Sequence, residues 1–204
     1  MDIRFTYYPD PLLRQKAQPI AMSGVRSSVS GARDTGPCTQ DIAEPSPEIL
    51  DLLAQMKEIC IVRKGIGLAA HQVGLVLPVI VYGVPAAPDK YELVGVVNPK
   101  IMGNGSELAI REEGCLSFPK LYLEIQRPRR LAVEGWFDDT RKFEKRELFD
   151  MSARIFSHEC DHTNGILFID RVDAETRQRI KPELQRIAEE KREENAKEIR
   201  TKKL

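Results

Sequence analysis

Apolar positions along the chain change their period several times, and each change predicts an element. From Pro47, the residues Ile49, Leu52, Leu53, Met56, Ile59 and Cys60 recur three and four apart, the spacing of one buried helix face. Ser46 stands at the cap position, Pro47 at the first helical position and Glu48 near the positive end of the dipole. Gly65-Ile66-Gly67 predicts the end of this helix. Runs rich in β-branched residues at Pro78–Val84 and Val94–Val97 predict two strands, the second closed by Asn98-Pro99. Leu131–Phe137 alternates, and Asp138-Asp139 predicts a turn toward Lys142–Glu144. Met151, Ile155, His158 and His162 then share one face of a second helix that Gly165 ends. From Glu175 to Leu204 the chain is dense in Lys, Arg and Glu, with only Ile180, Leu184, Ile187 and Ala188 as a thin apolar stripe. That pattern predicts a solvated helix, docked near its start and frayed at its end.

Neighbouring strands with helices early and late predict an α+β fold. Antiparallel or mixed sheets would pack around a central helix carrying His158 and His162, with a charged helix at the C-terminus. A length of 204 residues suits a single domain over 1–204. Pro9, Pro11 and Pro19 divide the first twenty residues into extended pieces and a turn. Residues 21–45, rich in Ser, Gly, Thr and Pro, read as an inserted surface loop, and 175–204 as a helical extension.

Composition narrows the function classes. Lys plus Arg and Asp plus Glu number 31 each, so net charge supplies no argument for nucleic acid, and no direct DNA binding is expected. No apolar run approaches the ~20 residues of a membrane span, so no membrane association is expected. Met1–Thr6 shows no apolar h-region and no Arg/Ser-rich amphipathic pattern, so no secretory or organellar signal is expected. The four cysteines lack disulfide-scaffold spacing, which predicts a reducing cytoplasm with thiols free or on metal.

The chemistry lies in His158-Glu159-Cys160-Asp161-His162. Histidines at i and i+4 lie on one helix face with Cβ atoms about 5–6 Å apart, and can grip one metal ion. The intervening Glu159 is placed to handle the proton of a reacting water. A catalytic site needs at least one more protein ligand. A third histidine six residues after His162 is ruled out, because that position is Phe168. Glu183 has a plausible separation but sits in the charged C-terminal segment. Among the cysteines, Cys60 belongs to an apolar stripe and Cys38 to the loop. Cys160 lies roughly 200° around the helix from His158, which makes it a core residue. Cys115, in Glu112-Glu113-Gly114-Cys115-Leu116-Ser117-Phe118-Pro119, lies in a segment read as a turn able to present a thiolate and expose the next backbone N–H. Glu113 and Arg127 are candidates to pair and hold that turn. The only other histidine, His71, is read as a rim residue beside the cleft.

Three motifs together are more specific. Gly65-Ile66-Gly67-Leu68-Ala69-Ala70-His71-Gln72, Glu113-Gly114-Cys115-Leu116-Ser117 and the His158–His162 helix resemble, in order, the three motifs of the peptide deformylase family. The resemblance implies Cys115, His158 and His162 as metal ligands and Glu159 as general acid/base. It implies Gln72 and the backbone N–H of Leu116 as oxyanion donors. The substrate would be the N-formyl-methionyl end of a nascent polypeptide, and the products formate and a free amino terminus. The metal would be Fe²⁺ in the cell, with Zn²⁺, Ni²⁺ or Co²⁺ as replacements. Ile155, Met151, Ile66, Gly67 and Glu113 are the candidate substrate-binding residues. The C-terminal helix could dock on the ribosome. Ser157 and Thr163 depart from the family's usual glutamine and leucine. Two other readings use the same helix: a zinc endopeptidase with no need for Cys115, and a binding module with a structural metal.

Overall fold

The structure is a computed structural model that describes residues 3–22, 44–88 and 90–201, with side chains to residue 194. Cys38 and most of the proposed 21–45 loop lie outside the described residues. Four helices, α1 (Pro47–Val62), α2 (Asp150–Thr163), α3 (Ala174–Arg179) and α4 (Lys181–Thr201), accompany seven strands. The strands are β1 (Gly67–Ala69), β2 (Val79–Ala87), β3 (Lys90–Asn104), β4 (Leu108–Cys115), β5 (Phe118–Pro128), β6 (Arg130–Phe137) and β7 (Lys142–Phe149). They form a five-stranded antiparallel sheet in the order β1-β2-β3-β6-β7 and a separate β4–β5 hairpin.

The apolar run at the start of β2 follows from its place in this sheet. Successive side chains of a strand point to opposite faces. Ile80 and Tyr82 pack with Phe156 and Ile155 of α2, whereas Val79 and Val81 pack with Leu52, Leu53 and Met56 of α1. Both faces are covered, so both sets of positions must be apolar. Tyr82 and Phe156 meet edge-on with centroids 5.3 Å apart. A third cluster lies under the hairpin, where Phe118, Leu121, Leu123 and Ile125 pack against Phe168, Ile180, Leu184 and Ile187. This is how the stripe of the C-terminal segment docks, although the segment is two helices and not one.

Several sequence expectations need correction. Asn98-Pro99 does not close β3, which continues to Asn104 through a register shift. Asn98 adopts a left-handed backbone (φ 54°), and its side chain exchanges two 2.9 Å hydrogen bonds with the backbone of Ile20. Ser46 is at the N-cap of α1 but makes no side-chain capping bond. The end of α1 is set by Lys64, not Gly65. Lys64 takes the left-handed conformation (φ 55°), its N–H donates to Ile61 and that of Gly65 donates to Cys60. This paired closure satisfies carbonyls the helix leaves open. Strands β4 and β5 fall where the sequence reading placed only a turn.

The end of α2 is as expected. Gly165 is left-handed (φ 72°), its N–H donates to His162, and Ile166 N–H donates to Asp161. A Cβ at Gly165 would strike the Arg14 carbonyl. Gly165→Ala therefore combines a left-handed backbone penalty with a backbone clash, and should cost about 2 kcal/mol or more. Denaturant unfolding of the variant should show the lower midpoint; an unchanged midpoint would contradict this packing.

Candidate metal centre

Helix α2 is buried along nearly its whole length, from Ser152 to Thr163, because the sheet covers one side and the hairpin another. Its histidines therefore point into protein. His158 and His162 stack edge-on with centroids 5.2 Å apart. Cys115 is the last residue of β4, and Leu116-Ser117 forms the tight link to β5. The hairpin brings the Cys115 sulfur to 3.3 Å from His162 Nε2. Ligand atoms of Cys115, His158 and His162 all lie within 4.8 Å of one another, the one such triad found among the described residues. Phe168, at the position a third histidine would need, is a buried wall with its ring 5.9 Å from that of His158. Glu183 is engaged with Arg186 on α4 and is not part of the group. Cys160 is core, and burial pushes its thiol pKa well up.

A buried ionic network fixes the triad. Arg127 lies on the inward face of β5, in step with Leu121, Leu123 and Ile125. Its guanidinium grips Glu113 at 2.7 and 2.9 Å and also donates to Asp161 (2.8 Å) and Ser157 (2.9 Å) of α2. Arg154 adds a 2.5 Å bond to Glu113 and donates to the carbonyls of Ile125 and Ala109. Arg171 closes on Asp161 from outside. Glu113 in turn lies 3.0 Å from His158 Nδ1, so His158 presents Nε2 to the triad. Although burial raises the Glu113 pKa, hydrogen bonds from His158 and Arg127 hold it at about 2. Glu113 thus touches the cleft, but its carboxylate is committed to holding the His158 ring.

Gln72 reaches the centre from a buried turn after β1. Its Oε1 accepts from Ala69 N–H (2.8 Å), which turns Nε2 toward the Cys115 sulfur and Ser117 Oγ, each at 3.4 Å. The N-terminal segment ties this turn to the cysteine turn. Thr6 N–H donates to the Gln72 carbonyl (2.8 Å) and Tyr8 N–H to the Ser117 carbonyl (3.0 Å), while Ser117 Oγ donates back to Thr6 O (2.8 Å). His71 is not a rim residue. It is fully buried, with Nε2 3.0 Å from the Gln15 carbonyl, and burial lowers its pKa.

Glu159 is buried, and Oε2 has no hydrogen-bond partner among the described residues; the same holds for His162 Nδ1. Burial pushes the Glu159 pKa up to about 7, with Glu113 and Asp161 adding and His158 and Arg127 opposing. Burial likewise drives His162 well down, toward the neutral imidazole a metal requires. His158 is pulled the other way: against its burial, the Cys115 sulfur and Glu113 raise it to about 10. One thiol and two imidazoles with ligand atoms within 4.8 Å of one another, beside a carboxylate with no hydrogen-bond partner among the described residues, fit a divalent metal.

The triad opens on a cleft of about 680 Å³. Ile66, Gly67, Gln72, Glu113, Leu116, Met151, Ile155 and Glu159 all line it, so each sequence candidate for substrate contact lies on its wall. Gly67 has a steric reason to be glycine. A Cβ there would strike Glu159 Oε1 and sit 2.7 Å from Ile155 Cγ2. Arg154, Asp161 and Arg171 were missed as supports of the site. The signal available was an arginine at the fourth inward position of an alternating strand, which demands buried partners.

The polypeptide deformylase family model matches residues 37–178. A peptide deformylase of Thermotoga maritima is 32% identical over 186 residues, covering 91% of this chain and 96% of its own. The chloroplastic/mitochondrial peptide deformylase 1B of Arabidopsis thaliana is 33% identical over 192 residues, 94% of this chain and 62% of its own. A crystal structure of the Arabidopsis thaliana enzyme superimposes with a TM-score of 0.75 at 30% identity, covering 95% of this chain and 94% of that one. A deformylase of Plasmodium falciparum with bound inhibitor gives a TM-score of 0.70 at 25% identity, covering 91% and 99%. No helix among the described residues is long and apolar enough to cross a membrane. With a matching family model, a matching fold and a candidate metal triad in place, the chain belongs to the peptide deformylase family, metalloenzymes that remove the N-formyl group from newly made polypeptides.

Proposed function

We propose that residues 1–204 form a single deformylase unit in which Cys115, His158 and His162 hold one divalent metal, and Glu159 moves the protons. The observation that carries this is the convergence of the three ligand atoms within 4.8 Å, with the unpartnered Glu159 carboxylate in the same cleft. When bound, the ion supplies the Lewis acidity that polarises the formyl carbonyl and makes water reactive near neutral pH. Glu159 accepts the proton of the attacking water and delivers it to the departing amide nitrogen. Gln72 Nε2, turned inward by the Ala69 amide, and the Leu116 N–H donate to the oxyanion as it develops. Ile66, Met151 and Ile155 give the methionine side chain an apolar wall, and Gly67 leaves room for the substrate beside Glu159. Glu113 and Arg127 act through His158, holding its ring.

The donor set suits Fe²⁺ in the cell, with Zn²⁺, Ni²⁺ or Co²⁺ as replacements. Free Cys60, Cys115 and Cys160 suit a reducing cytoplasm. A ribosomal contact would use the exposed charged side of α4, and removing residues after Glu194, which spares the buried Ile180, Leu184 and Ile187, should weaken ribosome co-sedimentation.

Metal-loaded protein should release formate from a formyl-Met-Ala peptide, and Glu159→Ala should lower kcat by about 10²–10⁴-fold while metal content stays unchanged. No formate from the loaded wild type would sink the reading. Cys115→Ala should strip the metal, seen by elemental analysis; full retention would move the third ligand elsewhere and revive the endopeptidase reading. Gly67→Ala should keep metal yet lose about tenfold or more in kcat/KM, because Glu159 and Ile155 are displaced. Unchanged kinetics would show that the contact does not matter.

A further inference from the structure

The inner end of the cleft is apolar, whereas its mouth is cationic. Arg63, Lys64, Lys120 and Lys191 all line it, opposed there by the carboxylate of Glu112. Arg63 and Lys64 follow α1, Lys120 sits on β5 and Lys191 on α4, so the fold gathers them from three separate elements. Two are held in place. The Arg63 guanidinium lies 3.8 Å from the centre of the Phe5 ring and donates to the Tyr7 hydroxyl at 2.8 Å. The Lys191 ammonium lies 4.0 Å from the centre of the Tyr7 ring. Among the described residues, the close ion pairing of these four cations is confined to Lys191 with Glu194, while Glu183, held low chiefly by Arg186, also feels the charge of Lys120. Arg63, Lys64 and Lys120 are exposed. The other carboxylates of the cleft, Glu113 and Glu159, are buried within it.

We infer that this rim selects the residues following formyl-methionine, favouring acidic nascent chains over basic ones. The inference rests on the deformylase reading and adds a specificity to it. With the formyl group at the triad and the methionine side chain against Ile66, Met151 and Ile155, the rest of the chain leaves through the mouth. An extended peptide advances about 3.3–3.6 Å per residue, so the side chains just after methionine meet the rim first. A single exposed ion pair is weak, but several like charges acting on one carboxylate add, and salt weakens them all. The Tyr7 contact also makes α4 part of the mouth, not only a projecting extension.

The test uses the full-length, metal-loaded protein and formyl-Met-Ala-Xaa-Ser peptides with Glu, Gln or Lys at Xaa. The same three residues are then placed at the second and fourth positions. The Glu peptide should exceed the Lys peptide in kcat/KM by about tenfold at low ionic strength at one or more positions, with Gln between. The ratio should fall toward one in 0.5 M salt, on the order expected when the screening length drops below ~5 Å. Lys64→Glu with Lys120→Glu should reverse the order, and Lys191→Gln should shrink it. Equal rates for Glu and Lys peptides at all three positions, or a preference that survives high salt, would overturn the proposal even if the variants failed to fold. Absence of turnover with the Gln peptide would instead sink the deformylase reading, and the rim proposal with it.

Discussion

The Arg127–Glu113 ion pair is the constraint on which the centre depends. It is buried and ties β5 to the strand that ends in Cys115, and each partner reaches on to the helix that carries both histidines, Arg127 to Asp161 and Glu113 to His158. Burying a charge is costly unless it is paired and its remaining hydrogen-bonding groups are satisfied. Here one guanidinium meets two carboxylates and a serine hydroxyl, and one of those carboxylates meets a second arginine and a histidine. An apolar replacement could fill the space, but it could not fix the rotation of His158. The network therefore fixes the orientation of His158 within the candidate triad.

The two faces of the main sheet divide the remaining work. The α1 face is a plain apolar core. The α2 face carries the same apolar side chains close to the centre, then gives way to histidine, glutamate and cysteine within one helical turn. A helix so deeply buried forces its polar residues to find partners or to act. Ser157, Asp161 and Thr163 have partners, whereas Glu159 Oε2 and His162 Nδ1 have none among the described residues. Both lie at the candidate centre, which supports the proton-handling role proposed for Glu159.

Much of this was legible in the sequence, and what was not has physical reasons. The α1 stripe, the first strands and the helix ending at Gly165 announced themselves by period and by punctuation. The centre was legible because three short motifs carried it. Strand β4 was hidden because its one buried side chain is the charged Glu113 while Leu108 and Ile110 face out, and β5 because its fourth inward position is Arg127, which reads as the end of an apolar alternation. The burial of His71 depends on the carbonyl of Gln15, a backbone group with no signature in the sequence. Lys64 took the left-handed position that Gly65 seemed to announce, because the first orphan carbonyls of α1 are met one residue earlier.

Beyond the Phe5 and Tyr7 rings that brace Arg63 and Lys191 at the mouth, the stretch from Arg4 to Tyr8 works through its backbone: alternate amides along it donate to Val73, Gln72 and Ser117. Alternate amides of an extended chain are spaced about 7 Å apart. The segment therefore works as a gauge laid across two loops that are 45 residues apart in sequence, Gln72 and Ser117. It sets the separation between the turn that carries Gln72 and the turn that presents Cys115. A gauge made of backbone is indifferent to most side-chain changes. Such a part can drift in sequence while the dimension it sets stays constant.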